Sequence, residues 1–462
     1  MNKPGIIEIV YFNAGGGHVS TMEALKTELE ARYPLPGWQI KPVNLQEVLK
    51  PIDLIYKGTK KLSSLRENLE EISPRLRPLP RELLTSLSLK LAARAIPSEE
   101  VYNLMLKSGE TDGLSSLLFI LQNFIKLMSW KIEKILKGRW EQPGNRPDLV
   151  VSVIPNFNGV MYRALRKIHP TVPYVTVMTD LIDLARPFKM PSHFWIERKQ
   201  AQFLICGTDE ALRQAVRAGY AEGKTVFQTS GMPLKPCFYA APADRGKTLA
   251  DLGLSADKKT VLIMFGGYGS MAAEKIVDQL NVSGLGVQSI VMCGRNDGLY
   301  ARLQGKPHCC PVPFETNVAR YMDVADFFIG KPGPASIFEA LARGLPVMIL
   351  DDKTTMPQER PNIGWVEKHG VGFGFNGFEA IADDVETMLD NLDEYRDNIA
   401  KLPKNRALYE IADILGRILN KTALPANTNM PVSGRLLLRE VFPKIARAER
   451  WKKRLGRQKQ KV

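Results

Sequence analysis

Asp326-Phe-Phe-Ile329 is an apolar run long enough only for a short buried strand, and Lys331-Pro-Gly-Pro334 closes it with a turn. Apolar residues at helical spacing follow as far as Arg343-Gly344, and Leu345-Pro-Val-Met-Ile-Leu350 is a second buried strand. Strand, helix and strand, with strands apolar on both faces, is the repeat of a parallel sheet covered by helices. The same order recurs elsewhere. Ile6 to Phe12 reads as a strand that stops at Ala14-Gly-Gly-Gly17-His18 and hands over to an amphipathic helix reaching about Arg32. Pro147 to Ile154 and Val172 to Met178 are further strands, and Thr260 to Phe265 runs through Gly266-Gly-Tyr-Gly-Ser270 into a helix from Met271. The chain has 462 residues, enough for two sizeable α/β domains and an appendage.

The turn before the third of these helices is built for an anion. Pro334 suits a first helical position, and Gly333 and the Ser336 hydroxyl lie beside the unpaired N–H groups of that turn, which together favour a phosphate. Glu339, about one turn further in, can accept both hydroxyls of a ribose. Gln358, Glu359 and Asn362, in the loop expected after the second strand, offer donors and acceptors to sugar hydroxyls. Gly267, Tyr268, Gly269 and Ser270 form a glycine turn whose backbone can hold a pyrophosphate, and Arg295, in the strand region 290–296, is a cation for the leaving diphosphate. In the first half, Gly16 and Gly17 let the backbone approach a ligand. His18 sits at a helix start, where the positive potential disfavours imidazolium and keeps a ring able to take a proton. Asn156 and Asp180 fall in loops that leave strands of the same sheet.

The strings KPGPASIFEALARGLP and PQERPN resemble the donor-site signature of monogalactosyldiacylglycerol synthases and, more distantly, of the peptidoglycan lipid N-acetylglucosaminyltransferases. Both belong to a family of inverting, UDP-sugar-dependent transferases of the GT-B fold. The resemblance covers most of the chain in matched order. GGGH stands where those synthases carry the histidine proposed as base, and it makes His18, with Asp180 of Thr179-Asp-Leu181 as second candidate, the catalytic group. It also places uracil at Pro311-Val-Pro-Phe314, against Phe314. Gly231-Met-Pro-Leu-Lys-Pro236 matches as well. Asp183 to Trp195 departs from the His-Pro-x-Trp pattern of the synthases, which bears on the acceptor more than on the donor.

The implied architecture is α/β of GT-B type, two Rossmann-like domains facing a cleft. Residues 1–235 form the acceptor domain with a helical insert at about 45–146, residues 236–415 the UDP-sugar domain, and residues 416–462 C-terminal helices and a basic tail. Pro233 to about Ala256 reads as the linker. The formal charge is +14, and Arg435 to Val462 sets eleven basic residues against Glu440 and Glu449. With Trp451 and an apolar stripe beside them, and with lysines and arginines threading the insert, the tail points to an anionic membrane surface. Nucleic acid is excluded as a partner, because no recognised module or aromatic platform accompanies the charge. Five cysteines without a C-x-x-C pair suit reduced thiols in a cytoplasmic protein. The strand that follows Met1 almost directly leaves no room for a leader, and the most apolar run, Leu114 to Met128, falls short of the ~20 residues that span a bilayer. No cofactor and no metal is expected, since helix starts and Arg295 can carry the leaving charge. The leading function is hexosyl transfer from a UDP-sugar to a diacylglycerol-like lipid. A UDP-sugar epimerase and a non-catalytic UDP-sugar-binding peripheral membrane protein are the alternatives.

Overall fold

A computed structural model describes residues 4–13, 16–33, 37–50, 125, 127–183, 202–353, 355–356 and 358–420. Most of the expected insert, most of the Asp183–Trp195 segment and the basic tail lie outside the described residues.

The described strands form two parallel sheets. The first consists of β1 (Gly5–Tyr11), β2 (Trp38–Asn44), β3 (Leu149–Ser152), β4 (Tyr174–Val177), β5 (Gln202–Cys206) and β6 (Val226–Gln228), in the order β2-β1-β3-β4-β5-β6. The second consists of β7 (Thr260–Met264), β8 (Gln288–Gly294), β9 (Cys309–Pro313), β10 (Phe327–Gly330), β11 (Val347–Leu350) and β12 (Gly372–Phe375), in the order β12-β11-β10-β7-β8-β9. In each sheet the order reverses beside the first strand, between β1 and β3 and between β7 and β10. Crevices at the carboxyl ends of such reversals are where open α/β sheets receive ligands.

Strand periodicity sorts the cores. Ile7 and Ile9 point to one face of β1, under the helix Gly16–Arg32, while Val10 joins the other face with helices Ser129–Glu141 and Asn158–Ile168. Glu8 shares that second face and is fully buried. It pairs with Arg139 at 2.8 Å and accepts from the Trp140 indole N–H at 2.8 Å, the pairing a buried carboxylate requires. In the second sheet, Val261, Ile263, Phe327 and Ile329 fill one face, and Leu262 and Phe328 the other.

Two stretches differ from expectation. The segment read as linker is folded: Leu234, Phe238 and Leu249 are buried in the second core, with a 3-10 turn at Pro236–Tyr239 and a helix at Arg245–Asp251. The helix Ala407–Leu419, expected mainly with the UDP-sugar domain, instead packs on the first sheet. Its Leu408, Ile411, Leu415 and Ile418 are buried with Ile7, Leu25 and Leu29. The reason is amphipathicity without address: an apolar stripe specifies burial, and either sheet offers a face.

Candidate active site

His18 is the third residue of the helix Gly16–Arg32 and sits at the β1/β3 reversal. Its Nδ1 lies 2.8 Å from the carbonyl of Val153, just past β3, and 3.3 Å from Thr179 Oγ1, just past β4. A carbonyl only accepts, so Nδ1 carries the hydrogen, and in the neutral ring the proton-accepting lone pair is on Nε2. Gly16 and Gly17 leave open space beside it: a methyl group at either would meet no described atom within 4 Å. Asn156, two residues beyond the peptide of Ile154, adopts a left-handed φ of 67°, which a short amide tolerates better than most side chains.

The loop after β4 ties this centre to the second half of the protein. Thr179 touches His18, and Asp180 is close enough to Glu359 to raise the pKa of its carboxyl. Leu181 is fully buried in the core that also contains Met232, Leu234, Phe338 and Trp365. Leu181 thus anchors the loop that carries Asp180 in the core of the second sheet. The Thr208 hydroxyl donates to the Leu181 carbonyl and fixes the loop from behind.

On the second sheet, the helix Pro334–Ala342 starts after Gly333 at the β7/β10 reversal. A methyl group placed on Gly333 would lie 3.8 Å from both Ser336 Oγ and Glu359 Oε1, so these three residues form one cluster at the helix start. The Glu339 and Glu359 side chains are half-buried. Burial pushes the Glu339 carboxyl up to about 7, opposed by Lys235. Burial does the same to Glu359, also to about 7, opposed by Lys331 and reinforced by Asp180.

The glycine turn Gly266–Ser270 packs against the end of β8. Gly269 has φ 64°, and a Cβ there would fall 2.1 Å from the Cys293 carbonyl oxygen, so only glycine fits. Gly267 in turn accepts from the Arg295 backbone N–H at 2.9 Å. The Arg295 guanidinium stacks on the Phe314 ring at 4.5 Å, which joins the expected diphosphate cation and uracil platform in one unit. Tyr268 and Phe314 are exposed, 50% and 48%. Ser270 Oγ accepts from the Ala272 N–H at 3.3 Å at the start of the next helix.

Asn362, expected in the loop after the second strand, lies instead in the first turn of the helix Arg360–His369, buried, with its amide donating to the Pro332 carbonyl at 2.7 Å. Its amide braces the turn that carries Gly333, while its Oδ1 is buried without a hydrogen-bond partner among the described residues. Gln358 keeps a buried Oε1 without a hydrogen-bond partner among the described residues, while its Nε2 lies 3.6 Å from Met356 Sδ. Lys331 and Lys235, the two cations facing the buried carboxyls, and the anchor Leu181 were not singled out from sequence. Among the described residues, no group of three or more His, Cys, Asp or Glu side chains is gathered as a metal site.

No protein-family model matches the chain. It is 30% identical over 295 residues to a probable monogalactosyldiacylglycerol synthase 2 of Oryza sativa subsp. indica, covering 60% of each chain. It is 27% identical over 346 residues to monogalactosyldiacylglycerol synthase 1 of Arabidopsis thaliana, covering 70% of this chain and 62% of that one. The chain therefore spans about three fifths of the length of these curated relatives. Among solved structures it is similar to MurG of Acinetobacter baumannii, with TM-score 0.50 and 13% identity over 90% of this chain and 99% of that one. It is also similar to the calicheamicin glycosyltransferase CalG4, with TM-score 0.55 and 14% identity over 92% and 100%. The two parallel sheets and these likenesses together give a GT-B fold on a chain whose sequence relatives are monogalactosyldiacylglycerol synthases.

Proposed function

We propose that the protein transfers a hexose, with inversion, from a UDP-sugar to the hydroxyl of a diacylglycerol-like lipid. The observation that supports this reading is that His18 meets Thr179 at 3.3 Å, while the next residue, Asp180, adds to the charge that raises the Glu359 carboxyl beside Gly333 and Ser336. We read it as a proton acceptor of one half facing sugar- and phosphate-binding groups of the other.

In this mechanism the donor's diphosphate rests on the N-terminus of Pro334–Ala342 and the glycine turn, with Lys331 and Arg295 supplying positive charge. Glu339 accepts from the ribose, Phe314 faces the uracil, and Glu359 and Gln358 hold the hexose. The acceptor hydroxyl gives its proton to His18 Nε2 as its oxygen attacks the anomeric carbon, and the bond to the diphosphate breaks on the opposite face. The Val153 carbonyl stabilises the imidazolium that forms, through Nδ1–H.

The lipid acceptor is supported by the relatives' names. Membrane attachment is supported by Leu127 and Trp130, 73% and 62% exposed within the expected insert, with Lys131 5.2 Å from the Trp130 ring. We place the protein peripherally on an anionic surface of the cytoplasmic side, held there by the insert and the tail. No described helix is long and apolar enough to cross a membrane.

The test is incubation with radiolabelled UDP-galactose, UDP-glucose and UDP-N-acetylglucosamine in the presence of a total lipid extract. Label should enter the organic phase with at least one donor. Label that stays in water with every donor while UDP is released overturns the lipid acceptor.

A further inference from the structure

Thr179 meets His18 from a loop that is tied down on both sides. Its hydroxyl oxygen lies 3.3 Å from His18 Nδ1. On one side, the N–H of Met178 donates to the Ile205 carbonyl at 2.9 Å, which joins the end of β4 to β5. On the other, Leu181 is fully buried in the second core, and its carbonyl accepts from the Thr208 hydroxyl. The Gln214 amide then takes both backbone groups of Asp183: its Oε1 accepts from the N–H at 2.8 Å, and its Nε2 donates to the carbonyl at 3.0 Å. Thr208 caps the helix Asp209–Arg217 and Gln214 lies within it, so a single helix steadies the loop from behind. The position of the Thr179 hydroxyl is therefore set by backbone fixed elsewhere, not by the contact with His18 itself.

The Val153 carbonyl, 2.8 Å from the same ring nitrogen, can only accept, so Nδ1 carries the hydrogen and Thr179 Oγ1 is a second acceptor for it. The two oxygens come from loops after different strands, β3 and β4. Half a turn about the Cβ–Cγ bond would set the ring carbon Cδ2 against both, so together they select one orientation of the ring. We propose that Thr179 is a positioning residue for the base: with the Val153 carbonyl, its hydroxyl holds the His18 ring so that Nε2 faces the hydroxyl to be deprotonated. This rests on the reading of His18 as the base. In a Ser-His-Asp triad a carboxylate does this orienting. A carbonyl and a hydroxyl do it here without adding a full negative charge beside Asp180, which already opposes ionisation of Glu359. They also meet the imidazolium with two lone pairs once the proton has been taken.

The experiment compares wild type, Thr179→Val and Thr179→Ser in the full chain, each also in a His18→Ala background. Valine keeps the shape of threonine and removes the acceptor. Turnover is followed by UDP release from UDP-hexose with a total lipid extract, and UDP affinity by calorimetry. Thr179→Val should lower kcat about two- to tenfold, the worth of one neutral hydrogen bond, with KM for the UDP-hexose and UDP affinity unchanged. Thr179→Ser should restore kcat. In the His18→Ala background neither change should cost anything further, because Thr179 acts through the ring. Wild-type kcat in Thr179→Val, no recovery in Thr179→Ser, or an equal loss without His18 overturns the proposal. Near-normal turnover in His18→Ala overturns the reading of His18 as base instead. NMR of the histidine ring nitrogens, with His18 assigned by its loss in His18→Ala, reads the contact without turnover. The Nδ1 signal should move in Thr179→Val and return in Thr179→Ser, and a signal unmoved in Thr179→Val refutes the contact.

Discussion

Replacing Asp180 by asparagine tests whether the two halves of the site meet. The Glu359 carboxyl titrates at about 7 because burial disfavours its charge, with Lys331 opposing and Asp180 adding repulsion. At pH 6 about a tenth of it is ionised and at pH 8 about nine tenths, so a hexose held by the ionised form should bind roughly ninefold better across that interval. The neutral amide would remove the like charge and leave burial in place. The midpoint should therefore fall below 7 without reaching the ordinary 4.5. A fall of one unit would raise the ionised fraction at pH 6 from about 0.1 to about 0.5, close to fivefold. Calorimetry with UDP-hexose and with UDP, from pH 5.5 to 8.5, separates the effects, since UDP has no hexose for Glu359 to hold. Asp180→Asn should shift the UDP-hexose profile and leave the UDP profile where it was. A UDP-hexose midpoint that does not move, or a UDP midpoint that moves equally, would refute the cross-cleft pairing.

His18→Ala should lower turnover by about 10²–10⁴ while UDP affinity is kept, as measured by UDP release and calorimetry. Leu181→Ala should cost roughly 2–5 kcal/mol in denaturant unfolding, because a fully buried leucine is removed from a packed core. Both Glu339 and Glu359 hold protons more tightly in the fold than in the unfolded chain, so their contribution is full below about pH 4.5 and is lost as pH rises through about 7. The double substitution Glu339→Gln and Glu359→Gln should flatten the decline of Tm across that window in a buffer series, and an unchanged decline would assign it to other groups.

The α/β architecture and most of the site were legible because they are written locally. Gly266–Ser270, Gly333–Glu339 and Gly16–His18 each lie where a strand gives way to a helix within a few residues, and both sheets place these at their reversals. What escaped depends on distance along the chain. Leu181 reads as one apolar residue in a polar loop, and only the fold shows it lodged in a core made largely of residues after 231. Asn362 reads as a loop amide, and its burial follows from a helix start that Pro361, suited to a first turn, permits at once. Lys235 and Lys331 are ordinary surface residues in sequence, and their importance comes from carboxylates about 100 and 28 positions away.

The helix Ala407–Leu419 gives the molecule an order of assembly. The first sheet is made early on the ribosome, yet one of its faces is covered only by the helix Gly16–Arg32 until residues 408–418 arrive and supply Leu408, Ile411, Leu415 and Ile418. The second sheet can close on itself before that moment, so the half translated first is the half completed last. During that interval the nascent chain carries a partly open apolar face, a surface that holding chaperones would recognise and that early termination before residue 407 would leave incompletely covered.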